Sequence, residues 1–126
     1  MASGPQRFEF FVFSLPEFGS TRVSVDRGII EKSESHGMLR RPKESDRNQE
    51  LRREPTTEEW GSFRKILDAL RVWEWEPEYV IPMCDGGAWS LTIQWDGARV
   101  RSTGENGYPP GFETLQSAID ALLRGN

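Results

Sequence analysis

The side chains best suited to covalent or metal chemistry are scarce in this sequence. His36 and Cys84 are the only residues of their types. A nucleophilic Cys–His pair needs no proximity in sequence, but Pro82, Met83 and Asp85 are not the neighbours of a low-pKa thiol. A structural zinc site needs a full set of Cys and His ligands. We therefore expect no metal.

Carboxylates are plentiful but scattered, and their spacing gives no sign of an acid–base pair. The phosphate-binding loop and the dinucleotide-binding glycine motif are both absent. The sequence therefore predicts no catalytic residue and no cofactor, and it favours a protein that is not an enzyme. The carboxylates considered were Glu58, Glu59, Glu74, Glu76, Asp85 and Glu105.

A glycine-rich corner is the candidate ligand site. Gly104 and Asn106 tolerate positive φ, and such a corner can present backbone N–H groups to an anion beside a helix N-terminus. The same residues can simply turn the chain, with Tyr108 packing beside them, and we favour this structural interpretation. The alternative is a small-ligand-binding or enzymatic domain with a cleft near Asp85, Gly104, Glu105, Asn106 and Tyr108.

Tryptophans form the candidate interaction surface. Trp89 and Trp95 share a strand face with other apolar residues, which is typical of a core. Trp73 and Trp75 instead follow a helix end and alternate with glutamates, so we expect at least one of them to be partly exposed. Core and interface remain open alternatives for this pair.

Two arginines are further candidates for contact with a partner. If Asp96-Gly97 makes a two-residue turn, Gln94 faces Arg99 and Thr92 faces Arg101 on the outer side of a hairpin. A solvated sheet face is the interpretation we favour. The alternatives are the docking of an acidic partner or, more weakly, of a nucleic-acid backbone.

The strands and helices that position these residues can be predicted from the spacing of apolar side chains along the sequence. Residues 89–95 alternate as a half-buried strand, and residues 98–102 return as its partner. Three earlier strands are predicted, at residues 8–15, 22–26 and 29–35. A short strand is predicted at residues 78–81. The side chains of residues 72–76 also alternate between apolar and polar, as in a strand. Helices are expected from Thr56, at capping-box spacing from Glu59, and from Phe112.

This order predicts an α+β fold in one domain, residues 1–126, with an antiparallel sheet of about five strands and two helices packed on one face. Residues 36–55 carry six basic and four acidic side chains and no aromatic residue. Such a segment predicts a mobile charged loop. Nucleic-acid binding through this arginine-rich loop is a weaker alternative function.

Composition bounds the class of protein. The chain has 126 residues, a net charge of −4 and a single cysteine. No apolar run of about 18 residues predicts a membrane helix, and no secretory signal is visible, so we expect a small soluble cytoplasmic domain. Of the 16 basic residues 13 are arginine, which indicates a GC-rich, bacterial genome.

The C-terminal half contains Trp89-x-Leu91-x-Ile93 and, further on, Ser102-x-Gly104-x-Asn106-x-Tyr108-Pro109-x-x-Phe112. These residues resemble the signature W-x-L-x-I … S-x-G-x-N-x-Y-P-x-x-F of a family of small bacterial domains of unknown function. The resemblance implies no catalytic residue.

Taken together, these features predict a non-catalytic protein-interaction or inhibitor module of a bacterial cell, similar in size and charge to immunity proteins. We expect another protein as its partner, and neither nucleic acid nor a membrane. Its candidate contact residues are Trp73, Trp75, Arg99 and Arg101.

Overall fold

The computed structural model describes residues 4–14, 19–36, 51–82 and 87–125, with backbone only at Ser14, Ser35 and His36. The elements, in chain order, are β1 Arg7–Ser14, β2 Gly19–Asp26, β3 Ile29–His36, β4 Leu51–Arg53, α1 Thr57–Leu70, β5 Glu78–Val80, β6 Gly87–Trp95, β7 Ala98–Glu105 and α2 Phe112–Arg124.

The strands of the described ranges form a single sheet in the order β4-β3-β2-β1-β6-β7-β5. Every neighbouring pair is antiparallel except β5 and β7, which are parallel. The predicted α+β class with two helices is confirmed. The expected antiparallel sheet of about five strands is coarser than the observed one, which adds the three-residue strands β4 and β5 at its edges, and β5 pairs with β7 in parallel.

Both helices lie on one face of this sheet. The central strand β1 alternates, so that Phe8 and Phe10 point into the core while Phe11 is half-buried on the opposite face. Phe8 meets Phe63 of α1 and Phe10 meets Phe112 of α2, each with ring centroids 5.8 Å apart. The outer face of the sheet carries no described helix.

Helix α1 begins with the capping box that the sequence predicts. The Thr56 side chain accepts from the Glu59 N–H, and the Glu59 carboxylate accepts from the Thr56 N–H at 2.8 Å. The helix ends at Arg71, which adopts a left-handed conformation. Residues 72–76 do not form the extended segment that their alternation indicates. They begin with a 3₁₀ turn, Val72–Glu74, which follows the left-handed Arg71 and places Val72 in the core.

The predicted hairpin is confirmed in its turn and its register. Asp96 and Gly97 both have positive φ, at 45° and 87°. Gln94 lies opposite Arg99, and Thr92 lies opposite Arg101. The dry face of α2 consists of Phe112, Leu115, Ala118, Ile119, Leu122 and Leu123.

The charged segment is described only at its ends. Residues 37–50 of the expected loop lie outside the described residues, and Leu51–Arg53 forms β4. The Arg53 guanidinium donates to Glu59 of α1 and to the Leu122 carbonyl of α2, both within 2.9 Å. In the described ranges, no helix combines the length and apolar character needed to cross a membrane.

Candidate functional site

The four predicted interaction residues line one groove. Trp73 and Trp75 come from the segment after α1, and Arg99 and Arg101 come from β7. Together with neighbours from β1 and β6 they enclose about 500 Å³. We call this depression the β7 groove. It lies at an edge of the sheet, between the helix layer and the outer face.

The floor of the β7 groove belongs to the hydrophobic core. Ile93 and Val100 line it, although only 1% and 7% of their surfaces are exposed. The outer-face wall continues beyond the arginines with polar side chains, namely Arg7, Glu9, Thr92 and Gln94. An apolar floor under a polar rim is the common anatomy of protein-binding surfaces.

Trp73 is fixed in place by helix α1. Its Nε1–H donates to Asp68 Oδ1 at 2.7 Å, and the Arg64 guanidinium lies 4.9 Å from its ring centroid. Arg64 also bonds Asp68 at 3.1 Å, so the three side chains form one cluster. Arg64 and Asp68 were not among the residues predicted from the sequence. The signal for them was their spacing of one helical turn, which places opposite charges side by side.

The cluster alters the titration of Asp68. The Trp73 indole bond lowers the pKa of this carboxyl, the hydrogen bond and charge of Arg64 lower it further, and desolvation opposes them. The carboxylate is therefore ionised at neutral pH and continues to hold the indole.

Trp75 is anchored to the core instead. Its ring meets the buried Trp89 edge to face, with centroids 6.0 Å apart. The next residue, Glu76, accepts a bond through its carbonyl from the buried Ser102 hydroxyl at 2.5 Å. Both tryptophans are half-buried, so each offers part of its ring to the groove from a fixed position.

The groove has excess positive charge. Arg7 pairs with Glu9 at 2.8 Å, which neutralises one arginine of the lining. Arg99 and Arg101 are exposed, and in the described part of the chain neither forms an ion pair or a side-chain hydrogen bond. Glu74 and Glu76 do not line the groove. In a chain of net charge −4, the described residues thus leave two positive charges of this groove without an ion pair.

Strand β7 is only partly paired on its groove side. Thr103 N–H donates to the Pro77 carbonyl at 3.0 Å, and the Glu105 carbonyl accepts from Ile81 at 2.9 Å. Backbone groups alternate sides along a strand, so those of Arg99 and Arg101 point the same way. Strand β5 reaches only residues 103–105 of β7. No described segment pairs with Arg99 or Arg101 on that side.

The candidate ligand corner is occupied by internal bonds. The Asn106 amide accepts from the Gly87 N–H at 3.1 Å and donates to the Ile81 carbonyl at 3.3 Å. Its φ of 60° confirms that the backbone turns there. A Cβ at Gly104 would overlap the Trp89 indole, whose Nε1–H donates to the Gly107 carbonyl at 2.8 Å. These contacts tie β5, β6 and β7 together.

The remaining corner residues do not share one cleft. Glu105 lines a depression on the outer face with Glu78, whereas Tyr108 lines another beside the start of α2. Tyr108 is 49% exposed and packs on Phe112, with centroids 4.9 Å apart. Asp85 lies outside the described residues.

The other reactive residues can be located only in part. Cys84 and the His36 side chain lie outside what the structure describes. Within the described ranges, no three His, Cys, Asp or Glu side chains are grouped as metal ligands would be. The pKa of Glu59 is lowered, first by the Thr56 backbone bond and then by Arg53, which reflects helix capping.

Comparison of the whole chain with models of known protein families gives no match, and neither does comparison with curated proteins.

Proposed function

We propose that this chain is a non-catalytic protein-interaction module and that its partner binds the β7 groove. The observation that carries the proposal is the convergence of Trp73, Trp75, Arg99 and Arg101, from two distant parts of the sequence, on one depression. Tryptophan and arginine are the residue types most enriched at the energetic centres of protein interfaces.

The rigidity of the site supports the same function. Trp73 is held by Asp68 and Arg64, and Trp75 is held by Trp89. A partner therefore meets aromatic surfaces whose orientation is already fixed, which lowers the entropic cost of binding. The unpaired guanidinium groups of Arg99 and Arg101 add attraction for an acidic partner.

The proposal extends to an inhibitor or immunity-like role in a bacterial cell. A small acidic domain with one edge groove suits a protein that binds a target and blocks it. The rival ligand-binding function has weaker support, because Asn106 uses its side-chain amide within the fold and Glu105 and Tyr108 line different depressions.

The test is affinity capture of partners from a lysate of the host with wild type and single variants. Truncation of Trp75 to Ala, or of Trp73 to Ala, is expected to weaken capture by about 2 kcal/mol or more, the scale of interface hot spots. Arg99→Ala and Arg101→Ala remove no described ion pair or side-chain hydrogen bond, and circular dichroism of each variant checks that it is folded.

Tyr108→Ala is the matched control, since it removes another exposed aromatic ring at a distance from the β7 groove. It should retain full capture. If folded variants at all four groove positions recover the same partners as wild type, the groove is not the interface. Loss of capture in Tyr108→Ala alone would instead favour the ligand corner.

A further inference from the structure

The β7 groove contains an unpaired stretch of strand. Arg99 and Arg101 lie four and two residues before Thr103, so their backbone N–H and C=O groups point to the same side of β7 as those of Thr103. The Thr103 N–H donates to the Pro77 carbonyl, which identifies this side as the one that faces the groove. These groups match the edge of an incomplete sheet, which can accept one more strand. The chain itself fills the neighbouring position, at residues 103–105, with β5.

The side chains around this edge define what the added strand should look like. On the outer face Arg99 and Arg101 are two residues apart and unpaired, so the cross-strand positions beside them favour carboxylates. On the helix face the intervening position lies beside Val100, Trp73 and Trp75, and favours an apolar side chain. The resulting pattern is acidic, apolar, acidic.

We propose that the β7 groove binds an extended segment of a partner protein with alternating acidic and apolar side chains, by adding it as a strand beside residues 98–102 of β7. This inference rests on the proposed function and specifies its mode. Backbone hydrogen bonds give such a complex affinity, and the pockets for alternate side chains give it specificity. Pairing of carboxylates with Arg99 and Arg101 makes binding weaker at high salt.

The charge pattern argues against the other occupants of an open edge. A second copy of this chain would bring its own Arg99 and Arg101 toward this pair, and like charges placed opposite each other are destabilising. A nucleic acid would satisfy the guanidinium groups but not the backbone groups of the strand.

The experiment is a titration of the ¹⁵N-labelled full chain, followed by NMR, with a short capped peptide of alternating glutamate and valine. Two peptides serve as controls: one with the same residues in blocks, and one with lysine in place of glutamate. We expect the alternating acidic peptide to shift and protect the amides of Arg99 and Arg101. Its affinity should exceed that of either control by at least about tenfold.

The matched protein variants are R99Q/R101Q and R52Q. Arg52 is exposed on β4, at the opposite edge of the sheet, so its loss should leave binding unchanged. The double variant should lose at least about tenfold in affinity for the alternating peptide. Equal binding of the alternating and block peptides would mean that only charge is recognised, and would overturn strand addition.

Other outcomes also separate the two proposals. One result is that capture from the lysate depends on Trp73 or Trp75 while the alternating peptide does not bind. That result would support the proposed interaction function and contradict binding by strand addition. If a single-stranded oligonucleotide binds at Arg99 and Arg101 more tightly than the peptide, the ligand is nucleic acid and the strand proposal is wrong. Dimerisation in sedimentation that the alternating peptide does not disrupt, with protection of the Arg99 and Arg101 amides in the dimer, would identify a second copy as the occupant and also overturn it.

Discussion

Trp73 illustrates how single residues are prepared for an external contact. Its ring is bonded through Nε1 to Asp68 and lies against Arg64, while another part of its surface lines the β7 groove. The ring is thus neither a free surface group nor a core residue. A side chain that is held on one side and open on the other loses little entropy when a partner covers it.

This arrangement predicts a linked titration at Asp68. Trp73→Phe keeps an aromatic ring but removes the indole donor, so the pKa of Asp68 should rise toward its ordinary value while Arg64 still holds it down. A ¹³C NMR titration of the Asp68 carboxyl measures both midpoints. Trp75→Phe is the control, because Trp75 makes no described bond to Asp68 and should leave that midpoint unchanged.

The sign of the effect on stability follows from linkage. A carboxyl whose pKa is lowered by folding stabilises the native state above its unfolded pKa, and this contribution disappears as the pH falls through the folded pKa. The stability difference between wild type and Trp73→Phe that comes from this bond should therefore shrink in acid. An identical Asp68 midpoint in both proteins would contradict the assigned cause.

At the scale of elements, the β6–β7 hairpin is the frame of the site. The turn at Asp96 and Gly97 sets the register that puts Arg99 opposite Gln94 and Arg101 opposite Thr92, all on the outer face. The Gln6 side-chain amide donates through Nε2 to the Asp96 carboxylate and accepts through Oε1 from the Asp96 N–H, which ties the turn to the residue before β1. A slip of one residue would move both arginines to the buried face.

Gly97→Val should destabilise this hairpin. Gly97 has φ of 87° and open space around its Cα, so the cost is conformational and not a clash. A β-branched residue forced into that region should lower the free energy of unfolding by about 1–3 kcal/mol. Urea unfolding of the two proteins measures the difference.

Gly61→Val is the matched control for this substitution. Gly61 lies on the exposed side of α1, also in open space but without a positive φ. Valine and glycine are both poor helix formers, so the change in stability should stay within about 0.5 kcal/mol. If Gly97→Val lowers the free energy of unfolding no more than Gly61→Val does, the turn does not require glycine at position 97. The turn then does not explain the register of the hairpin.

The sequence predicted the elements whose signals are local. The hairpin turn, the Thr56 capping box and the dry face of α2 each lie within a few residues of one another, and all three are confirmed. Strand β4 escaped prediction because its three residues form a strand only through pairing with β3. The parallel direction of β5 depends on where the chain crosses after α1, which no local pattern encodes.

At the scale of the whole molecule, the two ends of the sheet differ in how they are closed. At one end β4 is three residues long, and Arg53 attaches it to both helices. At the other end β5 is equally short and leaves residues 98–102 of β7 without a strand partner on that side among the described residues. Short, tied edge strands discourage unwanted pairing, so residues 98–102 of β7, whose backbone has no strand partner on that side in the described ranges, are the exception.

The site itself could be predicted only as separate residues. Residue type and alternation indicated Trp73 and Trp75, and hairpin register indicated Arg99 and Arg101. Their convergence depends on the turn after α1 folding back against β7, where the Ser102 hydroxyl bonds the Glu76 carbonyl. That contact joins residues 26 positions apart and leaves no periodic trace in the sequence. The alternation that drew attention to the tryptophans reflects a 3₁₀ turn and not a strand.

The most direct test of the interaction surface is hydrogen exchange of the full chain, free and bound to the partner that wild type captures. We expect binding to slow exchange at Arg99 and Arg101 by at least about tenfold, and to slow it in the segment of Trp73 and Trp75 as well. Arg52 and Arg53, at the opposite edge, should be unaffected. Protection confined to β4, to β2 and β3, or to the corner at Asn106 and Tyr108 would contradict this expectation.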